Sequence, residues 1–213
     1  MIDGYEKLPN GIIKQTKIFN KKAVYDTDYI HTYEEFGELG LRMSYLRLGN
    51  IIGAITLVDD KVLDVGYGSG DFLKVLEHIN VDAYGTDISG YPIPANANFI
   101  EWDNVFKERF KVITFFDSLE HFEDISFVRN LNCEYVVISL PECHQHVMGD
   151  EWFENWKHRK PDEHLWHFSR QSLKKFMQEQ GYYCVTYNNV EDVVRKPNDK
   201  LPNIITGIFK KIL

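Results

Sequence analysis

The pattern of apolar and polar positions changes character near residue 60. Residues 1–30 mix polar and aromatic positions without a sustained period, and Pro9-Asn10-Gly11 marks a turn. Leu39, Met43 and Leu46 recur at helical spacing, so residues 32–55 read as a helix interrupted by Gly37, Gly40 and Gly49. From Lys61 onward, short apolar runs alternate with helical segments. Lys61–Val65 reads as a buried strand running into Gly66-Tyr67-Gly68-Ser69-Gly70. The helix expected next, Asp71–Ile79, puts Phe72, Leu73, Leu76 and Ile79 on its inner face. Further strands are expected at 83–88, 98–101, 112–116 and 134–140, the last stopped by Pro141. Residues 169–180 carry Ser or Arg near a helix start and Gly181 just past its end. Late strands follow at 183–187 and 204–210. Seven strands separated by helices predict an α/β fold: a Rossmann-like, doubly wound, mostly parallel sheet with helices on both faces.

Composition narrows the functional classes. At 213 residues, with 44% hydrophobic and 26% charged positions, the chain fits one domain with a substantial core. A formal charge of -8 is the wrong sign for tracking a nucleic-acid backbone. Aromatics at 14% argue against disorder. Cys133, Cys143 and Cys184 form neither a disulfide framework nor a metal knuckle. The opening residues lack a signal-peptide pattern, and the apolar stretch 51–58 is too short to span a bilayer. The expectation is a cytoplasmic, single-domain protein with neither a membrane nor a nucleic-acid partner.

The densest chemistry lies in Val62–Gly70. A strand that ends in a glycine-rich turn before a helix lets a ligand approach the backbone closely. Asp87 ends the next strand, where a carboxylate can accept from both hydroxyls of a ribose. Two phosphate-binding readings fit less well. A dinucleotide fingerprint needs its third glycine at position 71, which is Asp71, and a P-loop needs a Lys after Gly70. Asp64 adds negative charge that suits an amine-bearing ligand better than a pyrophosphate.

On Asp64-Val65-Gly66-Tyr67-Gly68-Ser69-Gly70, Asp87, Trp102-Asp103, Phe115-Phe116-Asp117-Ser118-Leu119-Glu120-His121 and Pro161-Asp162-Glu163-His164 with His167-Phe168-Ser169, Leu173 and Gly181-Tyr182, the chain resembles the class I S-adenosylmethionine-dependent methyltransferases. Within them it looks closest to the small-molecule branch with ubiquinone-biosynthesis-like and glycan-cluster enzymes. The resemblance spans roughly 60–185. It implies S-adenosyl-L-methionine as cofactor, S-adenosyl-L-homocysteine as product, and in-line transfer of the methyl group to an O, N or C atom of a small molecule.

The resemblance also distributes roles. Gly66, Gly68 and Gly70 line the cofactor, Asp64 holds its amine directly or through water, and Asp87 holds its ribose, with Ile88 beside it. Trp102 and Asp103 flank the adenine, and Phe116 borders the methionine part. Tyr67 stands where the family carries a small residue or Cys, and is expected to narrow the pocket or stack over its edge. Arg47 is the candidate partner of the cofactor carboxylate.

His121 and His164 are the candidates for accepting a proton from, or orienting, the acceptor. Residues 141–168, rich in His and Trp, form a candidate substrate-facing insert. No metal-ligand series appears among them, so no metal is expected. The run Lys157-His158-Arg159-Lys160 would attract an anionic acceptor. Residues 1–55, with Tyr25, Tyr29 and Tyr33, are expected to act as a helical lid. Two other readings stand beside methyl transfer: a noncatalytic cofactor-binding protein and an NAD-dependent oxidoreductase. Nucleic-acid methylation lacks its expected Asn/Asp-Pro-Pro-Tyr/Phe segment after the fourth strand.

Overall fold

The structure, a computed structural model, describes residues 1–20, 23–26, 37–196 and 200–212. Tyr29 and Tyr33, and the start of the helix expected from residue 32, lie outside them. A seven-stranded sheet forms the centre. Its strands are β3 (Asp60–Val65), β4 (Val81–Thr86), β5 (Asn98–Phe99), β6 (Phe110–Phe116), β7 (Cys133–Pro141), β9 (Tyr182–Asn188) and β10 (Ile204–Lys211). They lie in the order β5-β4-β3-β6-β7-β10-β9. β5 through β7 pair in parallel, and β10 runs antiparallel between β7 and β9. The expected doubly wound, mostly parallel sheet is present.

Alternation along the strands builds a core on each face. Leu63 and Val65 of β3 join Ile113 and Phe115 of β6 on one face, under Leu173, Phe176 and Met177. Those three belong to the helix α5 (Arg170–Glu179). Its Ser169 accepts from the Ser172 amide and its Ser172 side chain answers in a capping box, which fixes where the helix starts. On the other face Val62, Val112, Phe116 and Val137 pack under Leu48, Ile51, Phe72 and Leu73. These come from α1 (Glu38–Ile52) and α2 (Asp71–Val75), the latter ending in a 3₁₀ turn over Leu76–His78. The helix expected over 71–79 therefore tightens after its first five residues.

The chain departs from β3 outward to β4 and β5, then returns to the opposite side of β3 as β6. Strand order thus reverses between β3 and β6, and in such sheets ligands sit beyond the carboxyl ends of the strands at that point.

The irregular N-terminal segment is better structured than its pattern suggested. β1 (Tyr5–Lys7), β2 (Ile13–Gln15) and β8 (Trp166–His167) form a second, antiparallel sheet. Strands of two or three residues are too short to show a period, and they are held by pairing with one another, β1 with β2 and β2 with β8 through Ile13–His167 and Lys14–Trp166. Gln15 and Asp162 extend the same link. The Gln15 side chain donates to Asp162, whose carboxylate also accepts from the amides of Phe19 and Asn20. The short helix α3 (Trp102–Val105) follows β5, and residues 141–168 hold α4 (Gln145–Asn155), whose Gly149 breaks the helical backbone at φ 83°.

Candidate active site

The turn after β3 is built from left-handed backbone. Gly66, Gly68 and Gly70 have φ of 76°, 53° and 74°. Side chains are excluded there as well as disfavoured. A Cβ on Gly66 would lie 2.7 Å from the Ser118 Cβ, and one on Gly70 would lie 2.5 Å from Pro94. Asp87, just past β4, accepts from the Gly68 amide at 2.9 Å and the Ser89 amide at 2.8 Å. Its carboxylate is thus oriented by the loop it faces, and carboxylate oxygens have further lone pairs to offer.

Asp64 follows from strand register. It lies opposite Thr114 on the neighbouring β6, and the Thr114 hydroxyl donates to it at 2.6 Å. Both point to the apolar face under α1 and α2, and Asp64 is 3% exposed. Burial pushes its carboxyl up to about 6, against the pull of the Thr114 hydrogen bond and of Arg47. A buried carboxylate with this penalty is suited to receive a cation.

The packing gives three of the expected site residues contacts within the protein. Tyr67 does not stack over a pocket edge. Its ring is buried in the core beside Gly85, and its hydroxyl donates to the Tyr91 carbonyl. Arg47 is committed within the protein. It donates to Glu191 and, at 2.8 Å, to Asp117, and its guanidinium lies 4.3 Å from the centre of the Phe116 ring. Arg195 closes the group by donating to both oxygens of Asp117. Burial works against the charge of Arg47, but Glu191 and Asp117 outweigh it and raise its pKa. Asp117 is held below the ordinary carboxylate range because Arg195 and Arg47 overcome its burial. Trp102 packs among Phe106, Phe122 and Phe127, so its indole serves the core. Phe116 is buried against Phe72 as well as under Arg47.

Asp103 and Ile88 are exposed, Ile88 at 82%, which leaves both side chains open to a ligand.

The segment after β6 meets residues from far along the chain. His121 and His164 pack edge to face with ring centroids 4.7 Å apart. His121 Nδ1 lies 2.8 Å from the Tyr25 hydroxyl, and His164 Nδ1 lies 2.8 Å from the His158 carbonyl, to which it donates. Burial lowers the pKa of His121. Burial, with His121 and His167 nearby, holds His164 well below the ordinary imidazole value, and both shifts favour the neutral ring. Glu120 sits beside them, 1% exposed, and neither carboxylate oxygen has a hydrogen-bond partner. Burial, reinforced by Asp117, pushes its carboxyl up to about 8. Glu120 is the residue the motif reading undervalued, because adjacency to His121 does not reveal that its oxygens lack partners.

His144, His158 and His167 of the insert are packing residues, while His146 is exposed. His167 is buried among Tyr5, Phe153 and Trp156, and its pKa falls to about 3 through burial. His158 bonds Asn203, and His144 bonds the Pro202 carbonyl. The basic run is partly consumed too, since Lys160 pairs with Glu163 and Arg159 lies over the Tyr5 ring. Two cavities adjoin these elements. One of about 250 Å³ is lined by Tyr25, His121, Gln15, Lys17 and Asp162. The other, about 490 Å³, lies between α4 and residues 202–203, with Trp152, Trp156, Glu151 and Lys157 on its walls.

A family model described as a methyltransferase domain matches residues 31–187. The chain belongs to the methyltransferase-domain family. This places it in the class I S-adenosylmethionine-dependent methyltransferase superfamily, whose fold the solved structures share. A methyltransferase from Clostridium acetobutylicum, described as S-adenosylmethionine-dependent, is 11% identical with a TM-score of 0.59, covering 87% of this chain and 98% of that one. The Burkholderia thailandensis 1,6-didemethyltoxoflavin-N1-methyltransferase, solved with 1,6-didemethyltoxoflavin and S-adenosylhomocysteine, is 15% identical with a TM-score of 0.58. The match covers 98% of this chain and 99% of that one. An Archaeoglobus fulgidus SAM-dependent methyltransferase is 18% identical with a TM-score of 0.58, over 86% of this chain and 99% of that one. No curated protein matches the chain in sequence. Among the described residues of this family member, no helix is long and apolar enough to cross a membrane.

Proposed function

We propose that this protein transfers the methyl group of S-adenosyl-L-methionine to a small-molecule acceptor. The observation that carries the proposal is the Asp87 carboxylate fastened to the Gly68 amide of a turn too tight for side chains. That cradle suits a ribose beside a closely approached backbone. Asp64 would hold the amine of the cofactor, Gly66, Gly68 and Gly70 would let its body approach, and Ile88 and Asp103 would meet its adenine from the exposed side. The cofactor supplies a methyl group activated by a sulfonium. The protein aligns an acceptor in line with it and excludes water.

The acceptor side is assigned to the cavity bordered by Tyr25 and His121. A neutral imidazole there has a lone pair with which to take or orient an acceptor proton. His121 and His164 are accordingly the proposed acceptor-handling residues. The pairing of Lys160 with Glu163 and the placement of Arg159 over the Tyr5 ring reduce the support for an anionic acceptor.

Calorimetric titration tests the reading. S-adenosylmethionine and S-adenosylhomocysteine are expected to bind and NAD not to bind. Absence of binding by both sulfur cofactors defeats the proposal, and binding of NAD in their place favours the oxidoreductase. Asp87→Ala is expected to weaken S-adenosylhomocysteine by about 2–3 kcal/mol, the scale of hydrogen bonds to a charged group. Cofactor binding without turnover of any acceptor in a small-molecule panel favours the noncatalytic reading.

A further inference from the structure

We propose that Glu120, His121 and His164 form a binding site for a divalent first-row transition cation such as Zn²⁺ or Co²⁺. One potential ligand atom from each residue lies within 4.8 Å of the other two. Donors 2.0–2.2 Å from a tetrahedral zinc are separated by about 3.3 Å, so modest side-chain rotations close the site. The decisive observation is Glu120. The residue is 1% exposed and both carboxylate oxygens lack hydrogen-bond partners among the described residues, an arrangement that costs free energy unless a cation or another donor arrives. The basic side chains nearest in the fold are committed elsewhere: Lys160 is paired with Glu163, and Arg47 and Arg195 are spent on Asp117 and Glu191.

The imidazoles are already oriented. His164 gives its Nδ1 hydrogen to the His158 carbonyl, which leaves Nε2 with a lone pair. His121 is steadied by the Tyr25 hydroxyl. Metal-bound histidines are commonly held in this way, by a carbonyl or another polar group on the second nitrogen. The donor set of two nitrogens and one oxygen suits zinc-like cations better than calcium or magnesium, which favour oxygen alone.

The three residues come from two distant parts of the chain, the turn after β6 and the loop before β8. Leu165 donates its amide to the Glu120 carbonyl and so locks the two together. Three protein ligands leave coordination positions open, and His121 borders the 250 Å³ cavity. With a cation bound, its open positions, and no longer the imidazole lone pairs, would receive an acceptor oxygen, a role that rests on the methyl-transfer reading. Metal binding itself does not rest on it.

The test titrates chelator-treated full-length protein with Co²⁺ and Zn²⁺, following visible absorption and calorimetry. Each sample is also titrated with S-adenosylhomocysteine, so failure of the metal site and failure of the cofactor reading register separately. Wild type is expected to take up one equivalent of Co²⁺ with the absorption of a low-coordinate nitrogen–oxygen site. Glu120→Gln and His164→Asn are expected to weaken uptake by about 100-fold or more, since even an outer partner is worth 10–100-fold. X-ray absorption of the wild-type cobalt complex, which needs no variant to fold, is expected to show two imidazoles. The proposal is overturned by no uptake, by a cobalt shell of oxygens alone, or by a folded Glu120→Gln or His164→Asn variant that binds as wild type does.

Discussion

The turn after β3 and the segment after β6 lie side by side, joined where the Ser118 hydroxyl donates to the Val65 carbonyl at 2.7 Å. They are built by different means. The first is fixed by its own backbone: three glycines at positive φ, and one carboxylate, Asp87, received from the neighbouring strand. The second is fixed by side chains that arrive from elsewhere. Arg47 comes from α1, Arg195 and Glu191 from beyond β9, and His164 from the loop before β8. The comparison teaches that local backbone geometry makes a recognisable motif, while an assembly of long-range partners does not.

The largest expected effect tests the second region. Arg47→Met leaves Glu191, 0% exposed, and Asp117 with Arg195 as their remaining charged partner. Breaking a buried ion cluster in this way costs about 3–5 kcal/mol, to be read from urea unfolding. An Arg47→Met variant that kept full stability but lost S-adenosylhomocysteine would restore Arg47 as a cofactor ligand and collapse the contrast.

Next in size is a pH effect at Asp64, which is bonded to Thr114 across the two strands that lead into these regions. Its folded pKa of about 6 stands above the ordinary 3.8. The folded protein therefore holds the proton more tightly. The stability from this group is complete below pH 3.8 and is lost as pH rises through about 6. Each tenfold gain in proton affinity on folding is worth about 1.4 kcal/mol, so cofactor-free Asp64→Asn should exceed wild type by about 2–3 kcal/mol above that window. Affinity for S-adenosylhomocysteine should rise through the same window in wild type, as the carboxylate forms to receive an amine, and stay flat in the variant. Parallel titrations at several pH values decide this, and a flat wild-type profile removes Asp64 from the cofactor site.

Gly66→Ala sharpens the claim that the first region is made by backbone. Positive φ and the approach to Ser118 together predict about 1–3 kcal/mol of destabilisation. Product binding should fall with it, and denaturant unfolding beside calorimetry separates the two losses. The smallest effect belongs to Asp103→Ala. Because this residue is exposed, stability should change by less than about 0.5 kcal/mol, and any loss of product affinity would be a direct measure of adenine contact.

Much of the fold was legible because its elements are locally consistent. The apolar run Val62–Val65 before three glycines can hardly be anything but a strand entering a turn, and Ser169 with Gly181 brackets α5 from both ends. The short strands β1, β2 and β8 were illegible because two or three residues carry no period, and they exist only as partners of one another. Tyr67 shows a subtler limit. Its position in the loop pointed to the pocket, but the absence of a Cβ on Gly85 opens a place for the ring in the core.

What the sequence by itself determined is the alternating strand and helix order, the glycine turn with Asp87 beyond it, and through them the methyltransferase family. Each depends on residues close in sequence, or on a strand spacing that the parallel sheet repeats. The tertiary structure alone decided the fate of the charged and imidazole groups. It turned Arg47 inward to Glu191, placed Asp64 opposite Thr114, gave His144, His158 and His167 packing roles, and brought His164 to His121 and to Glu120, whose carboxylate has no hydrogen-bond partner among the described residues. The physical reason is that burial and charge pairing depend on which surfaces meet, and no local pattern encodes a meeting between residues as far apart in the chain as His121 and His164.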